Sequence, residues 1–174
     1  LEPMGIYSSH YHALKDLPDG TTIAIAKDLA DEARGLKLLA DNGLITLAPG
    51  FGALDGLEKV TSNPKHFKFQ EIDDTTGGRV VKDPKIAAVL MSNSISQASG
   101  LNVLKDALAY EYVNSHTKAN INILATAEKQ SHNPTYRKLL TLYHDKASQA
   151  YIAAKYHGTK TEVNKPISYF KGEH

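Results

Sequence analysis

Residues 86–90, Ile-Ala-Ala-Val-Leu, offer no polar side chain to either face of a strand, and this constrains the fold more than any other stretch. A strand that is apolar on both faces needs cover on both sides, as a central strand has in a sheet flanked by helices. The residues before it agree, because short β-branched runs alternate with amphipathic segments in the order of β-α units. Residues 4–7 read as strand, 13–17 as a helical turn stopped by Pro18-Asp19-Gly20, and 21–26 as a β-branched strand. Over residues 28–42 the period changes. Leu29, Ala33, Leu36 and Ala40 recur at helical spacing and predict one buried stripe, with Asp28 as the cap, Asp31 and Glu32 in the first turn, and Gly43 after the end.

Farther along, residues 45–47 and 67–72 read as strands, and 53–61 as a helix closed by Asn63-Pro64. Strands are expected at 107–111 and 121–125, and helices at 134–144 and 146–156. The polar tail from Gly158 onward is expected to be loosely ordered. The fold class is therefore α/β, with a mixed sheet flanked by helices. A chain of 174 residues buries roughly 70% of its unfolded surface and needs neither metal nor disulfide for a core.

Charge and composition remove several functions. Twenty basic against nineteen acidic residues, with no long run of one sign, provide no footprint for a row of phosphates, so nucleic acid is not an expected partner. The absence of cysteine removes thiolate catalysis and Cys-type zinc sites. No apolar run approaches the ~18 residues of a membrane-spanning helix, so the chain is expected to be soluble. His10 and His12 share a face of an extended segment, but a zinc site needs a third ligand, and none stands at a diagnostic spacing. Nucleophile-elbow, zincin and phosphate-loop motifs are missing, and the serines at 92, 94 and 96 have no nearby histidine. The chain is read as a non-enzyme without a cofactor.

Three segments then fall in a telling order: Glu2-Pro3-Met4-Gly5-Ile6-Tyr7-Ser8-Ser9, Leu14-Lys15-Asp16-Leu17-Pro18-Asp19-Gly20, and Thr22-Ile23-Ala24-Ile25-Ala26. Asn42-Gly43-Leu44-Ile45, Val60-Thr61-Ser62-Asn63-Pro64-Lys65, Gly100-Leu101 and Lys105-Asp106 continue the series. Together they resemble the NlpA-type methionine-binding lipoproteins, the solute-capturing components of ABC importers. The resemblance implies a type II periplasmic-binding-protein fold. One lobe would be complete over residues 5–92, and residues 93–174 would return to the other lobe and end in a C-terminal tail. It also implies capture of methionine or a related amino acid by lobe closure, delivery to a membrane permease, and a lipid anchor holding the protein at the cell surface or in the periplasm. The signal, the lipidated cysteine and the first part of lobe one would precede the Glu-Pro-Met-Gly motif. Elements built to pack on those parts would expose apolar surface, so self-association or strand exchange is expected.

Site residues follow from both lines of reasoning. In open α/β sheets ligands collect beyond the carboxyl ends of strands, near helix N-termini, which points to residues 26–34. By chemistry alone Arg34 is a helix-surface partner of Asp31, three residues earlier. The resemblance implies instead that its guanidinium grips the ligand's carboxylate. The chain also departs from the family. Ala26-Lys27-Asp28 stands for Pro-Asn-Asp, Asp31 for an asparagine, and Met91 for the hinge asparagine that binds ligand. Asn93, two residues on and so on the same strand face, is a candidate substitute for it. Arg79 matches a family arginine read as structural. A carboxylate at Asp31 suits a ligand that brings a cation, so a dipeptide or a cationic amino acid stays open beside methionine, as does a surface interaction protein with a decayed pocket.

Overall fold

The computed structural model describes residues 1–170. Its elements are β1 (Gly5–Tyr7), β2 (Thr22–Ala26), α1 (Leu29–Asp41), β3 (Thr46–Leu47), β4 (Val60–Ser62), β5 (Lys68–Ile72), α2 (Gly77–Val80), β6 (Ile86–Met91), α3 (Asn93–Ala98), α4 (Val103–Asp106), β7 (Ala107–Tyr110), α5 (Pro134–Tyr143), α6 (Lys146–Lys155) and α7 (Ile167–Phe170). Two compact units divide them. The first is Pro3–Tyr112; the second is Leu1–Glu2 with Val113–His174, of which 171–174 lie outside the described residues, as does that end of the expected loose tail. The first unit includes α3, α4 and β7.

Within the first unit the sheet order is β5-β2-β6-β1-β7, a mixed sheet. β2 is parallel to β5 and β6, whereas β1 is antiparallel to both β6 and β7. Every residue of β6 is buried, as a strand apolar on both faces requires. Its side chains divide between two cores. Ala88 and Leu90 join Ile6, Ile23, Ile25, Leu36 and Leu39 on one face, while Ile86, Val89 and Met91 join Tyr7, Ala24, Val81 and Val103 on the other.

The helix α1 closes the first of these faces. Asp28 Oδ1 accepts the N–H groups of Ala30 (3.1 Å) and Asp31 (3.3 Å), and Gly43 takes a left-handed φ of +71° just beyond the far end. Leu36 and Leu39 are fully buried, but Leu29, expected in the stripe, is 52% exposed because it begins the first turn at the sheet's rim. Gly35 lets the helix come close: a Cβ there would stand 2.9 Å from Leu90 Cδ2.

Two expected elements differ. Residues 53–61 form a 3-10 turn at Leu57–Lys59 and then β4, which pairs with β3. The N–H groups of Gly52, Gly56 and Leu57 donate to the carboxylates of Asp55, Glu58 and Glu32 in place of a helical ladder. Residues 121–125 form no strand among the described residues. Ile123 and Leu124 are more than 60% exposed, and an extended segment without a hydrogen-bonding neighbour has no ladder to join.

The second unit holds α5, α6 and α7. In it Leu1 N donates to Thr161 O at 2.7 Å, and Lys160 pairs with Glu2. Every residue of α5 is exposed, including Tyr136, Leu139, Leu140, Leu142 and Tyr143. No helix among the described residues is long and apolar enough to cross a membrane.

Candidate functional site

One end of the five-stranded sheet gathers the chemistry. Ala26 pairs with Ile72, and Met91 with Gly5, which pairs in turn with Tyr110, so the carboxyl ends of β2, β5, β6 and β7 share a rim with the start of β1. The segments leaving that rim are α1, the 3-10 turn Asp74–Thr76 capped by Asp73, α3 and Glu111. Open α/β sheets place ligands here.

At the rim Arg34 and Glu111 form a clamp. Arg34 Nε donates to Glu111 Oε1 at 2.9 Å and Oε2 at 3.0 Å, and Nη2 donates to Oε2 as well. Glu111 Oε2 also accepts the Met4 N–H at 2.8 Å, while the Glu111 N–H donates to Met4 O at 3.0 Å. Side-chain exposure is only 16% for Arg34 and 5% for Glu111, so the pair is largely withdrawn from water and gains directional, charge-assisted bonds. Glu111 is the residue that reading the sequence missed. The weak signal for it was its place at the end of an expected strand at the same sheet end as Arg34.

Asp31 lies half-buried three residues before Arg34 on α1. Burial raises its carboxyl above the ordinary value; Arg34 opposes this, and Asp74, Asp28 and Glu111 add to it. Asp73, at the end of β5, is held low by hydrogen bonds from the Thr75 side chain and backbone, helped by the Lys27 cation at 3.6 Å.

The other candidates are placed differently. Met91 is a core residue, 2% exposed, whose Cγ and Sδ would both lie 2.7 Å from a Cβ added to Gly77 under α2. Asn93 is buried at the first position of α3, and its carbonyl accepts Ser96 Oγ at 3.0 Å. The strand alternation that would put residues 91 and 93 on one face ends at Met91. Arg79 is exposed on α2. The structure thus brings Arg34, Asp31 and Asn93 to the same rim and keeps Met91 in the core beneath it.

Beneath the rim, Tyr7 is 1% exposed, and its hydroxyl lacks a well-aligned hydrogen-bond partner because Ser96 Oγ is turned toward the Asn93 carbonyl. Burial pushes the phenol up to about 12, against a smaller opposing pull from Ser96. Tyr7→Phe is expected to leave stability within about 1 kcal/mol of the parent, since it removes a buried group that gains little. The pH dependence has a definite sign. Stability associated with Tyr7 is present below the ordinary phenol value near 10 and is lost as pH rises through about 12. Urea titrations of both proteins between neutral and strongly alkaline pH check this, and the Phe variant should lack that part of the alkaline loss.

A second cleft lies at the opposite end of β1, lined by Ser8, Ser9, His12, Lys82 and Lys105 among others. It faces the amino ends of β6 and β7, and the Ser8 and Ser9 hydroxyls are committed to the Ala87 and Val81 carbonyls. Among the described residues no group of three or more His, Asp or Glu is arranged to hold a metal.

An open α/β sheet with a guanidinium and carboxylates gathered beyond its strands' carboxyl ends defines the class of open α/β proteins that bind small ligands at that end. The NlpA lipoprotein family profile matches residues 1–164, and the chain belongs to that family. It is 32% identical over 165 residues to the methionine-binding lipoprotein MetQ of Bacillus subtilis, a match that covers 94% of this chain and 60% of that protein. The chain thus spans well under two thirds of that relative's length. Among solved structures it is similar to protein PG110 from Staphylococcus aureus (TM-score 0.81, 32% identity, 98% of this chain and 66% of that one). It is also similar to a nutrient binding protein from Burkholderia cenocepacia bound to methionine (TM-score 0.72, 27% identity, 91% and 65%).

Proposed function

We propose that this chain carries the ligand-gripping lobe of an ABC-importer substrate-binding lipoprotein that captures an amino acid, methionine or a close relative. The observation that carries the reading is the largely buried guanidinium of Arg34, held at the sheet end where open α/β folds bind ligands. Membership in the NlpA lipoprotein family and the methionine named for two relatives support it. In this reading Arg34 takes the ligand's carboxylate, Asp31 its ammonium group, and Asn93 supplies an amide nearby, while Met91 serves by packing. Residues 5–92 are one lobe, and residues 93–174 return to contribute to the other and end in a C-terminal tail. The protein works at the outer face of the membrane, held by a lipid anchor, and passes its solute to a permease. Ligand affinity for the closed form shifts the open–closed equilibrium.

Asp31 favours a second reading, a paralogue that takes a cationic amino acid or a dipeptide, because the carboxylates of Asp28, Asp74 and Glu111 add to its own negative field. A thermal-shift titration with L-methionine, L-lysine, L-arginine and short dipeptides separates the two. A ligand at a hundred times its dissociation constant is expected to stabilise the chain by about 2.7 kcal/mol. A response to methionine supports the first reading and a response to lysine, arginine or a dipeptide alone the second. The decisive titration uses the chain joined to the remaining part of the other lobe, and no response from that folded protein would count against both.

A further inference from the structure

The cleft at the far end of β1 carries a charge opposite to that of the unit around it. Pro3–Tyr112 holds 11 basic and 14 acidic residues, yet Lys82, Lys105 and His12 line this cleft against one carboxylate, Asp106. The Lys82, Lys105 and His12 side chains have no ion-pair or hydrogen-bond partner among the described residues. Asp106 serves the backbone instead. Its Oδ2 accepts the Asn102 N–H at 2.6 Å, while Asn102 Oδ1 caps α4 by accepting the Leu104 N–H at 2.9 Å. The other wall is pinned in the same way: Ser8 Oγ donates to Ala87 O at 2.6 Å and accepts the His10 and Tyr11 N–H groups, each at 3.1 Å, and Ser9 Oγ donates to Val81 O. Both walls are thus held by bonds that leave the lysines and His12 unused. Half-buried Tyr11, Leu101 and Leu108 line the same space, whose volume of about 420 Å³ falls in the range of small-molecule sites.

We propose that this cleft is a second binding site, separate from the rim, for a phosphomonoester group on a small apolar body. Charge selects an anion, because two ammonium groups outweigh the single carboxylate even with His12 neutral. Side-chain type selects phosphate over carboxylate. No arginine lines the cleft, and it is the planar guanidinium that grips a carboxylate edge-on. Lysines act as point charges, and a phosphomonoester carries nearly two negative charges on three oxygens that two ammonium groups can share. Tyr11, Leu101 and Leu108 then cover the ligand's apolar body and are themselves withdrawn from water. The amino-acid-binding reading uses none of these residues, so the two sites stand or fall separately.

Titration of the isotope-labelled chain with phenyl phosphate, benzoate and inorganic phosphate, followed by amide NMR shifts, tests this. Phenyl phosphate is expected to move the signals of residues 8–12, 82 and 101–108, to leave Asp31, Arg34 and Glu111 in place, and to bind about tenfold or more tighter than benzoate. Inorganic phosphate, which lacks the apolar body, should bind the same residues more weakly. Lys82→Gln combined with Lys105→Gln is expected to weaken phenyl phosphate by about tenfold or more while leaving the urea unfolding midpoint unchanged, since both side chains are exposed. Should the double variant fail to fold, the two single variants decide, each with an expected loss of about threefold. Silence from the cleft residues, equal binding of benzoate, or an affinity unchanged in the variants overturns the inference. Shifts at Arg34 and Asp31 instead would assign the anion to the rim, overturning the inference and leaving the amino-acid reading standing. The source of the phosphate is read from sedimentation with phosphatidylcholine vesicles containing phosphatidic acid. Pelleting that is lost in the lysine variants marks a lipid headgroup, and its absence beside phenyl phosphate binding marks a soluble ester.

Discussion

Glu111→Ala is expected to destabilise the chain by about 3–5 kcal/mol, the largest single-residue effect anticipated outside the hydrophobic core. The cost comes from what remains. Arg34 would keep a positive charge at 16% side-chain exposure without the Glu111 carboxylate along its Nε edge, and the Met4 N–H would lose its side-chain acceptor. Glu111→Gln should cost less, because an amide oxygen can still accept from one donor. Replacing both partners with apolar residues, Arg34→Met with Glu111→Leu, should recover much of the loss, since a buried ion pair contributes little net stability once its desolvation is counted. Urea denaturation of the four proteins at neutral pH gives the comparison. A cost below about 1 kcal/mol for the alanine variant would place the pair among solvent-screened surface ion pairs.

Leu36→Ala is expected to cost about 2–5 kcal/mol, with the cavity left against the sheet deciding where in that range it falls. Leu36 is fully buried in the core formed with Ile23, Ile25 and Leu90, and Gly35 beside it holds the helix close to β6, so the surroundings have little room to collapse. Leu29→Ala is the internal control. At 52% exposure it should change stability by no more than about 0.5 kcal/mol, although both residues belong to the same sequence stripe. Equal losses for the two would mean that the first turn of α1 is packed, contrary to its exposure.

Those two leucines also show how far the sequence could be read. Periodicity located α1, and the Asp28 cap fixed its start, because both signals are local. The exposure of Leu29 depends on where the helix begins relative to the sheet's rim, which no spacing encodes. For β6 the apolar run was enough, since cover on both faces follows from composition alone. The strand expected at residues 121–125 failed for the opposite reason: Ile-Asn-Ile-Leu-Ala suits an extended conformation, but a strand exists only with a neighbour to bond. Nor was α3 legible, because its six residues, three of them serine or asparagine, carry no clear helical stripe. At the rim, Arg34 and Asp31 were singled out through the strand–helix junction and the family pattern. Glu111 was not, since its partnership spans 77 residues and leaves no local trace. The same-face argument for Asn93 assumed a strand that the chain abandons after Met91.

The pairing of β1 with β7 has a consequence for how the first unit can be joined to other chains. Pro3–Tyr112 enters through one strand and leaves through its immediate neighbour at the same sheet end, with Met4 and Glu111 bonded to each other there. Its two ends are thus about one strand spacing apart, roughly 5 Å. A stretch whose ends meet in this way is a cassette. It can be spliced between adjoining residues of a host hairpin, or closed by a short linker and reopened elsewhere, without pulling its own sheet apart.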